Sequence, residues 1–340
     1  MEKGRASSGL WEYHGAVPEL SLVVPATKTE TLPQCLAAVA AAAEGPDEVI
    51  VIDSPGEAGP AAARNIGAGR ATGDIVAFLD ADVLVRPDVF TRMRAAFQAE
   101  PELTAIFGSY DDAPADQGWV SGFRNLLHHA VHQSAGGRAT TFWSGIGAVR
   151  RQAFLASGGY DEGRFERPSI EDVDLGMRLS DAGGRIRLDP RIQGTHLKRW
   201  TLRSMVSTDF ARRGVPWTTL LLRRRHSSTA LNLGWRHRVS ALASLGTIAL
   251  AALGSLLAVA TLVALVALNL TLFRALLRSR GPAQALAGVG LLMVHHLTAA
   301  AAVSAGIALH PFRALRARTA KRRAPSDTGV AAVQASEAGA

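Results

Sequence analysis

Two aspartates, Asp80 and Asp82, come directly after a predicted strand, Asp74–Leu79. Alternate residues of an extended chain point to the same side, so both carboxylates can reach one cation while Ala81 points away. Oxygen ligands at this spacing suit Mg²⁺ or Mn²⁺ bound to a diphosphate, because these ions leave room for substrate phosphates. An isolated pair of this kind more often ends a strand and starts a turn, so its chemistry depends on the surrounding elements.

Apolar strands alternate with helices in the first part of the chain. Strands are predicted over Leu20–Val24, Glu48–Ile52 and Asp74–Leu79, and helices over Leu32–Glu44 and Ala61–Ala71. Continuous apolar strands separated by helices predict an α/β fold with a mostly parallel sheet that helices cover on both faces. Ligands of such sheets bind at the carboxyl ends of the strands.

Polar residues follow each of the three predicted strands at its carboxyl end. These are the segment Pro25-Ala26-Thr27, Asp53, and the pair Asp80 and Asp82. One nucleotide could contact all three positions. Asp53 could equally cap a helix or a turn, because aspartate is favoured in both places.

Short sequence blocks occur in a fixed order between residues 20 and 205. They are Val23-Val24-Pro25-Ala26, Val51-Ile52-Asp53, Ala63-Arg64-Asn65-x-Gly67, Gly73–Asp82, Gly158–Glu162 and Ser169–Leu179. In this order the blocks resemble the family 2 glycosyltransferases, which are inverting enzymes of GT-A fold. Ordered blocks are more specific than any single motif.

The resemblance implies a role for each block. Asp80 and Asp82 would hold the metal-bound diphosphate, and Asp172, with Glu171 beside it, would be the catalytic base. Both could instead be a negatively charged first turn of a helix, which the helix dipole favours. The nucleotide would be held by Pro25, Ala26, Thr27, Asp53, Arg64 and Asp80.

The block His196-Leu197-Lys198-Arg199-Trp200 is similar to the Gln-x-x-Arg-Trp motif of processive, membrane-bound members of the family. His196 replaces the glutamine, which argues against processive polymer synthesis. The histidine could be a third metal ligand, hydrogen-bond the diphosphate, or simply pack. Lys198 or Arg199 would assist the departing diphosphate, and Trp200 completes this diphosphate and acceptor set.

Other aromatic side chains could contact a substrate. Trp143 could stack on a sugar or acceptor, or could lie in the core. His128 and His132 lie four residues apart on a predicted helix, Phe123–Gln133, and could bind a metal. No acidic partner with metalloprotease spacing accompanies them, which favours acceptor contact or ordinary packing.

Two long stretches near the carboxyl end lack charged side chains. Val239–Phe273 exceeds the roughly 20 residues that cross a bilayer as a helix, and Gly281–Pro311 is a second candidate. Two spans fit best, because basic clusters before and after this region mark the cytosolic face. A three-span arrangement folds the first stretch into a hairpin around Gly254-Ser255.

The remaining composition bounds the compartment and the partners. The net charge of +8 arises largely from basic clusters beside the apolar stretches, which indicates lipid headgroups and not nucleic acid. The single cysteine, Cys35, excludes an intramolecular disulfide. No long apolar segment precedes Leu20, so neither a signal peptide nor an amino-terminal anchor is expected, and the catalytic domain is expected in the cytosol.

The expected domains follow these changes in composition. Trp217, Leu220 and Leu221 lie among arginines, which predicts an interfacial helix that rests on the bilayer. The domains are a flexible terminus (1–17), the GT-A catalytic domain (18–205), a basic interfacial helix or linker (206–238), a transmembrane region (239–311), and a basic, then disordered tail (312–340).

The leading hypothesis is a multi-pass glycosyltransferase of the inner (cytoplasmic) membrane that depends on Mn²⁺ or Mg²⁺. It would transfer a sugar from a nucleotide sugar, UDP-linked in preference to GDP-linked, to a lipid or lipid-linked hydroxyl acceptor. The closest alternative has a polyprenyl phosphate acceptor. A nucleotidyltransferase is disfavoured because no glycine-rich, lysine-bearing loop follows the first strand, and retention of the carboxylates disfavours an inactive scaffold.

Overall fold

The computed structural model describes residues 17–26, 30–53, 59–224 and 234–323, with side chains as far as residue 311. Thr27, most of the amino terminus expected to be flexible, and the disordered tail expected beyond residue 323 lie outside the described residues.

The strands of the described residues form one mixed sheet. Their order is β2-β1-β3-β7-β5-β8-β4, and β6 pairs with β8. The strands are β1 (Leu20–Ala26), β2 (Glu48–Asp53), β3 (Ile75–Leu79), β4 (Val83–Val85), β5 (Leu103–Tyr110), β6 (Gly137–Ala139), β7 (Ile146–Arg150) and β8 (Arg185–His196).

Helices flank the sheet and continue beyond it. In the catalytic part they are α1 (Leu32–Ala40), α2 (Pro60–Arg70), α3 (Val89–Ala99), α4 (Trp119–Ser134), α5 (Arg151–Ala156) and α6 (Glu171–Asp181). After β8 come α7 (Leu202–Ser207), a π-helical turn (Thr208–Gly214), α8 (Val215–Arg224), α9 (Trp235–Ala252), α10 (Leu257–Leu268) and α11 (Leu270–Arg323).

The sheet confirms the predicted α/β class. Strand β1 pairs in parallel with β2 and β3, and β5 pairs in parallel with β8. Strand β7 runs antiparallel between β3 and β5, so the sheet is mostly and not wholly parallel. Every residue of β1 and β3 is buried, as their continuous apolar sequences require.

Two layers of core side chains cover the two faces of the sheet. On one face Leu22, Phe90 and Phe97 belong to a cluster under α1 and α3. On the other, Phe78 and Tyr160 belong to a cluster that reaches α2, α5 and α6. The two helical layers thereby hold the strand ends in place.

The register of β1, β2 and β3 brings their carboxyl ends to one edge. Ala26 lies opposite Asp53, and Val23 lies opposite Phe78, two residues before Asp80. The polar residues that follow the first three strands therefore meet at this edge, as the sequence predicts.

The carboxyl-terminal helices depart from a simple arrangement of two spans. Residues 239–273, expected to be one span, fold back at Gly254, whose φ is 66°, so that α9 and α10 form the hairpin of the three-span alternative. Helix α11 is interrupted at Gly281, with φ 82°. Among the described residues, Leu270–Pro311 is the one helical stretch long and apolar enough to cross a membrane.

Helix α8 lies where an interfacial helix was predicted, but its apolar residues face the protein. Leu220 is completely buried in a cluster with Phe165, Ile170, Val173 and Met177, and Trp217 and Leu221 pack against that cluster. The apolar pattern is therefore explained by packing on α6 and the segment before it, and does not need a lipid surface.

Close packing of α2 on β1 gives a test of the fold. A Cβ at Gly67 would overlap Val23, whereas a Cβ at Gly69, two residues later, would meet nothing within 4 Å. We expect Gly67→Ala to lower the free energy of unfolding by about 1–3 kcal/mol through overpacking. The control Gly69→Ala should raise it by up to about 1 kcal/mol, because alanine favours the helix. Thermal unfolding midpoints that move in the same direction in both variants would contradict this packing.

Candidate active site

Asp80 and Asp82 lie in the turn between β3 and β4. The Asp80 N–H donates to Gly145 O (3.2 Å), and the Val83 N–H donates to Asp80 O (3.0 Å). Their side chains are 31% and 35% exposed, so both carboxylates reach solvent at the predicted edge of the sheet. Ala81 between them is buried.

Arg64 on α2 joins the strand end to the acceptor-side segment. Its Nη2 lies 2.7 Å from Asp80 Oδ1, and its Nη1 lies 3.1 Å from Glu171 Oε1. Arg64 and Glu171 are both buried. Burial by itself lowers the pKa of the guanidinium, but the charges of Asp80, Tyr160 and Glu171 raise it well above its ordinary value. The sequence placed Arg64 at the nucleotide, and the structure places it between two carboxylates.

Asp172 has a different environment from its neighbour Glu171. Asp172 Oδ2 accepts from the backbone N–H of Ser144 (3.4 Å), and its Oδ1 accepts from Val173 N–H (2.8 Å). Glu171 accepts from Arg64 and from Ser169 N–H (2.8 Å). Burial, followed by the charge of Glu171, raises the pKa of Asp172 to about 7. Asp172 can exchange a proton near neutral pH, whereas Glu171 is occupied by its partners.

The segment before α6 is held by a two-point hydrogen bond. Asn65 Nδ2 donates to Tyr160 O (2.9 Å), and Tyr160 N–H donates to Asn65 Oδ1 (2.8 Å). Gly158 and Gly159 have φ of 79° and 66°, which glycine adopts without strain. Arg64 and Asn65 are neighbours on α2, so one helix turn fixes both Asp80 and the acceptor-side segment.

His196, at the end of β8, faces Asp82 and is oriented from behind. Its Nε2 lies 3.5 Å from Asp82 Oδ2, and its Nδ1 lies 2.9 Å from Asn125 Oδ1. An acceptor oxygen at Nδ1 requires the proton there, which leaves the Nε2 lone pair directed toward Asp82. The imidazole also stacks on Tyr110, with ring centroids 4.2 Å apart.

The charge around Asp82 favours its ionised form. Burial pushes the pKa of Asp82 upward, but the hydrogen bond and charge of His196 and the charge of Lys198 outweigh burial and lower the pKa. Among the described residues, no three His, Cys, Asp or Glu side chains form a closed metal cage. Asp82 and His196 nevertheless offer oxygen and nitrogen donors on an open side, which suits Mn²⁺ or Mg²⁺ completed by substrate oxygens.

Lys198, Arg199 and Trp200 follow His196 out of the sheet. Lys198 Nζ lies 4.2 Å from the centre of the Trp200 ring, and Arg124 lies 5.4 Å from that ring. Trp200 is buried, and its N–H donates to Ser121 Oγ (2.7 Å). Trp200 therefore supports Lys198 from within the protein, while Arg199 is exposed.

Trp143 belongs to an aromatic cluster beside the site. Its ring centre lies 4.9 Å from that of Tyr110 and 4.6 Å from that of His128. His132 is buried, and its Nδ1 lies 2.9 Å from Gly108 O. His128 stacks on His132 at 3.8 Å. These contacts explain the histidines by packing of α4 on β5, and they leave Trp143 partly exposed.

The other predicted nucleotide-binding positions lie at the same edge. Pro25 and Ala26 are buried at the end of β1, opposite Ile52 and Asp53, and Asp53 is exposed. Thr27 lies outside the described residues. This leaves an open edge beside Asp80 on which a nucleotide could lie.

Three residues of the site carry no sequence signal that predicts them. Asn125 orients His196, the Ser144 backbone N–H faces Asp172, and Tyr110 stacks under His196. Asn125 precedes the predicted histidine pair on the same helix, but an asparagine in a helix has no distinctive spacing. Only the pairing of strands and helices shows these roles.

Comparison with known proteins identifies part of the chain. Residues 34–157 match the family described as Glycosyl transferase family 2, which confirms the resemblance noted in the sequence. Two proteins named Pre-mycofactocin glycosyltransferase, from Mycobacterium tuberculosis strains CDC 1551 / Oshkosh and ATCC 25618 / H37Rv, are each 33% identical over 172 residues. The match covers 47% of this chain and 34% of theirs, so the chain spans about a third of the length of these relatives.

A solved structure shows the same fold over most of the chain. It is a mannosyltransferase from Pyrobaculum calidifontis in complex with GDP-Man and Mn²⁺, with a TM-score of 0.51 and 15% sequence identity. The likeness covers 84% of this chain and 87% of that chain. Since the part up to His196 is less than 84% of 340 residues, the shared fold includes some of the helices that follow.

The raised pKa of Asp172 leads to a prediction about stability. Because its folded pKa of about 7 lies above the value of 3.8 for an exposed carboxyl, its contribution to stability is full at low pH and is lost as pH rises through 7. We therefore expect Asp172→Asn to raise the thermal unfolding midpoint at pH 8 and to change it little at pH 4.

Asp174 on the same helix supplies the matched control. It pairs with Arg178 at 2.9 Å and with Arg224 at 3.1 Å, so Asp174→Asn should lower the midpoint at pH 8. A lower midpoint for Asp172→Asn at pH 8 would show that the Asp172 carboxylate is not destabilised by its surroundings.

Proposed function

Because residues 34–157 belong to glycosyl transferase family 2, we propose that the chain is a membrane-bound, inverting glycosyltransferase. It moves a sugar from a nucleotide diphosphate sugar to a hydroxyl of a lipid or lipid-linked acceptor. The observation that carries the proposal is the Arg64 bridge, which sets Asp80 and the Glu171-Asp172 segment as two walls of one cleft. The family match ends before Asp172, so the base rests on geometry and on resemblance.

The nucleotide lies along the edge formed by β1, β2 and β3. Pro25 and Ala26 give it a flat apolar seat, and Asp53 offers an acceptor for a base or ribose donor. A UDP-sugar is the proposed donor. A GDP-sugar is the alternative, because the mannosyltransferase of similar fold carries GDP-Man.

Asp80, Asp82 and His196 would hold Mn²⁺ or Mg²⁺ at the diphosphate. The ion would neutralise the charge that develops on the departing nucleoside diphosphate. Asp82 is held ionised by His196 and Lys198, and Asn125 keeps His196 Nε2 turned toward it. Lys198 adds a positive charge on the same side.

Asp172 acts on the acceptor. The acceptor oxygen forms its bond to the anomeric carbon as the bond from that carbon to the diphosphate breaks, and the hydroxyl proton moves to Asp172. A carboxyl with a pKa of about 7 is suited to accept this proton at neutral pH. One displacement inverts the anomeric centre, and no covalent enzyme intermediate forms.

A specific observation favours a second candidate, an acceptor that carries a phosphate. A cavity of about 610 Å³ lies between the segment before α6 and the π-turn with α8. Its lining includes Arg164, Arg167, Arg212 and Arg223, with Glu166 as the carboxylate among them. Arginine forks suit phosphate oxygens, so a polyprenyl phosphate could bind here.

The proposed location is the inner (cytoplasmic) membrane, with the catalytic domain in the cytosol. It is supported by the long apolar helices and by the basic residues beside them. A nucleotidyltransferase remains distinguishable by its products, because it would release pyrophosphate in place of a nucleoside diphosphate.

The metal role predicts a selective loss of activity. We expect Asp82→Ala to lower the Mn²⁺-dependent release of UDP or GDP from nucleotide sugars by at least about 100-fold, because a charge-stabilising ligand is removed. Asp88→Ala, which removes an exposed carboxylate paired with Arg92, should keep full activity. Release that is unchanged in Asp82→Ala would reject the proposed metal role.

The acceptor chemistry predicts a separate pH signature. For a hydroxyl acceptor, kcat should rise with pH through an inflection near 7, and Asp172→Asn should lower it about 100- to 10,000-fold. For a phosphate acceptor, which is already ionised, Asp172→Asn should retain most of its rate, and Arg212→Ala should raise KM. Sugar transfer to synthetic lipid alcohols and to polyprenyl phosphates measures both outcomes.

A further inference from the structure

The carboxyl-terminal helices contain two apolar units that differ in what covers them. One is the hairpin formed by α9 and α10, and the other is α11. Only α11 contains a stretch long and apolar enough to be a span by composition among the described residues. The contacts of the two units, however, assign them different positions at a membrane.

Helix α11 is attached along its length to the catalytic domain. Arg280 donates to Pro114 O (2.7 Å) and Asp116 O (2.9 Å), and Gln284 Nε2 donates to Trp119 O (3.1 Å). Further along, His295 Nδ1 lies 2.7 Å from Asp209 Oδ2 on the π-helical turn.

The attachment continues toward the carboxyl end of α11. A Cβ on Gly306 would lie 2.7 Å from Thr218 Cβ on α8, so these two helices are in close contact. From Arg280 to Gly306 a helix measures about 39 Å, which exceeds the roughly 30 Å of a bilayer core. If α11 crossed the bilayer, polar parts of the catalytic domain would have to enter the hydrocarbon with it.

The two arms of the hairpin are antiparallel and in a defined register. Thr247 Oγ1 and Thr261 Oγ1 lie 2.8 Å apart, and Asn269 Nδ2 donates to Ser240 Oγ (2.9 Å). Residues whose numbers add to about 509 therefore lie at the same height, with Gly254 at the tip.

Helix α11 crosses the base of this hairpin. His296 lies beside His237 on the first arm, with ring centroids 6.2 Å apart. Gly288 lies against the second arm, where a Cβ would be 2.7 Å from Leu276 Cδ1 and 3.7 Å from Phe273 Cε1. His237 and Phe273 are at the same height, so α11 runs across the hairpin and the two units cannot both lie along the membrane normal.

The part of the hairpin beyond this crossing is exposed and short. Ala243, Leu265 and Val266 still pack on the cluster that includes α4 and α11. Beyond them the arms pack on each other, and Leu253, Leu256 and Leu257 at the tip are 79%, 87% and 63% exposed. From Ala243 to Gly254 the helix rises about 16 Å, close to half of a bilayer core.

We propose that the chain enters one leaflet of a bilayer through the α9–α10 hairpin, while α11 lies along the membrane surface under the catalytic domain. Arg236, Arg274 and Arg278 lie at the base of the hairpin, where anionic headgroups would meet them. The attachment is monotopic, in contrast to the multi-pass arrangement expected from the sequence. It refines the membrane-bound part of the proposed function and does not depend on the sugar or acceptor.

Labelling at the hairpin tip tests the depth of insertion. Ser255→Cys in the full chain, bound to vesicles of mixed neutral and anionic lipids, is exposed to a membrane-impermeant maleimide added outside or trapped inside. A tip at the bilayer centre should react with neither, since the thiolate needs water, and should react after detergent is added. The wild-type chain, whose one cysteine, Cys35, is buried, gives the background.

Each labelling result has a distinct meaning. Reaction with the trapped reagent would show that the hairpin crosses the bilayer, and reaction with the outside reagent would show that it does not enter. Either result would overturn the monotopic attachment. Because labelling does not measure turnover, a failed glycosyltransferase assay leaves this test unaffected.

Vesicle flotation of paired variants gives an independent measurement. The double variant Leu253→Asp/Leu256→Asp should reduce membrane partitioning at least about tenfold, because each carboxylate is costly inside hydrocarbon. The control Val303→Asp changes an exposed apolar residue of α11 and should reduce it less than about threefold. An equal or larger loss with Val303→Asp would place α11 in the hydrocarbon and overturn the proposal. Thermal unfolding in detergent checks that all variants fold.

Discussion

The buried guanidinium of Arg64 is the interaction on which the candidate site depends. A buried charge is tolerated only when opposite charges compensate its lost hydration, and Asp80 and Glu171 do so at 2.7 and 3.1 Å. These carboxylates come from distant parts of the chain, at the end of β3 and the start of α6. The arginine therefore sets the distance between the diphosphate side and the acceptor side of the cleft. It also occupies one oxygen of Asp80, which leaves Asp82 as the more available metal ligand.

Helix α4 is the second organising element, because three of its residues on one face bind three different segments. Ser121 accepts from the Trp200 N–H, and Asn125 orients His196. Between them Arg124 lies 2.7 Å from Asp209, the same residue that binds His295 of α11. Residues three and four apart share a helix face, so a single element connects the metal side of the site to the membrane-facing helices. A π-helical turn carries Asp209, and such turns are frequent at functional positions.

The sequence predicts those parts of the molecule whose signal is local. The strands β1 and β3 are continuous apolar runs, and the aspartates after β3 reach solvent because their spacing matches the strand period. The partners of Arg64 and of His196 could not be predicted, because they depend on contacts between residues far apart in the chain. The amphipathic pattern of α8 correctly identifies an apolar face. It cannot tell whether lipid or protein covers that face, and Leu220 is covered by protein.

The same limit applies to α11, and it bears on how an acceptor reaches the cleft. Hydropathy shows that a segment can leave water, but Leu292 of α11 leaves water by packing on protein. With α11 lying on the membrane surface, α8 lies above it, and the arginine-lined cavity is formed by another side of α8. One packed helix places that cavity about 10 Å from the lipid surface. An acceptor whose reactive group extends beyond the headgroup layer can bridge this distance, whereas a hydroxyl at headgroup level cannot. The fold thus favours a lipid-linked acceptor with an extended polar head over a simple membrane lipid.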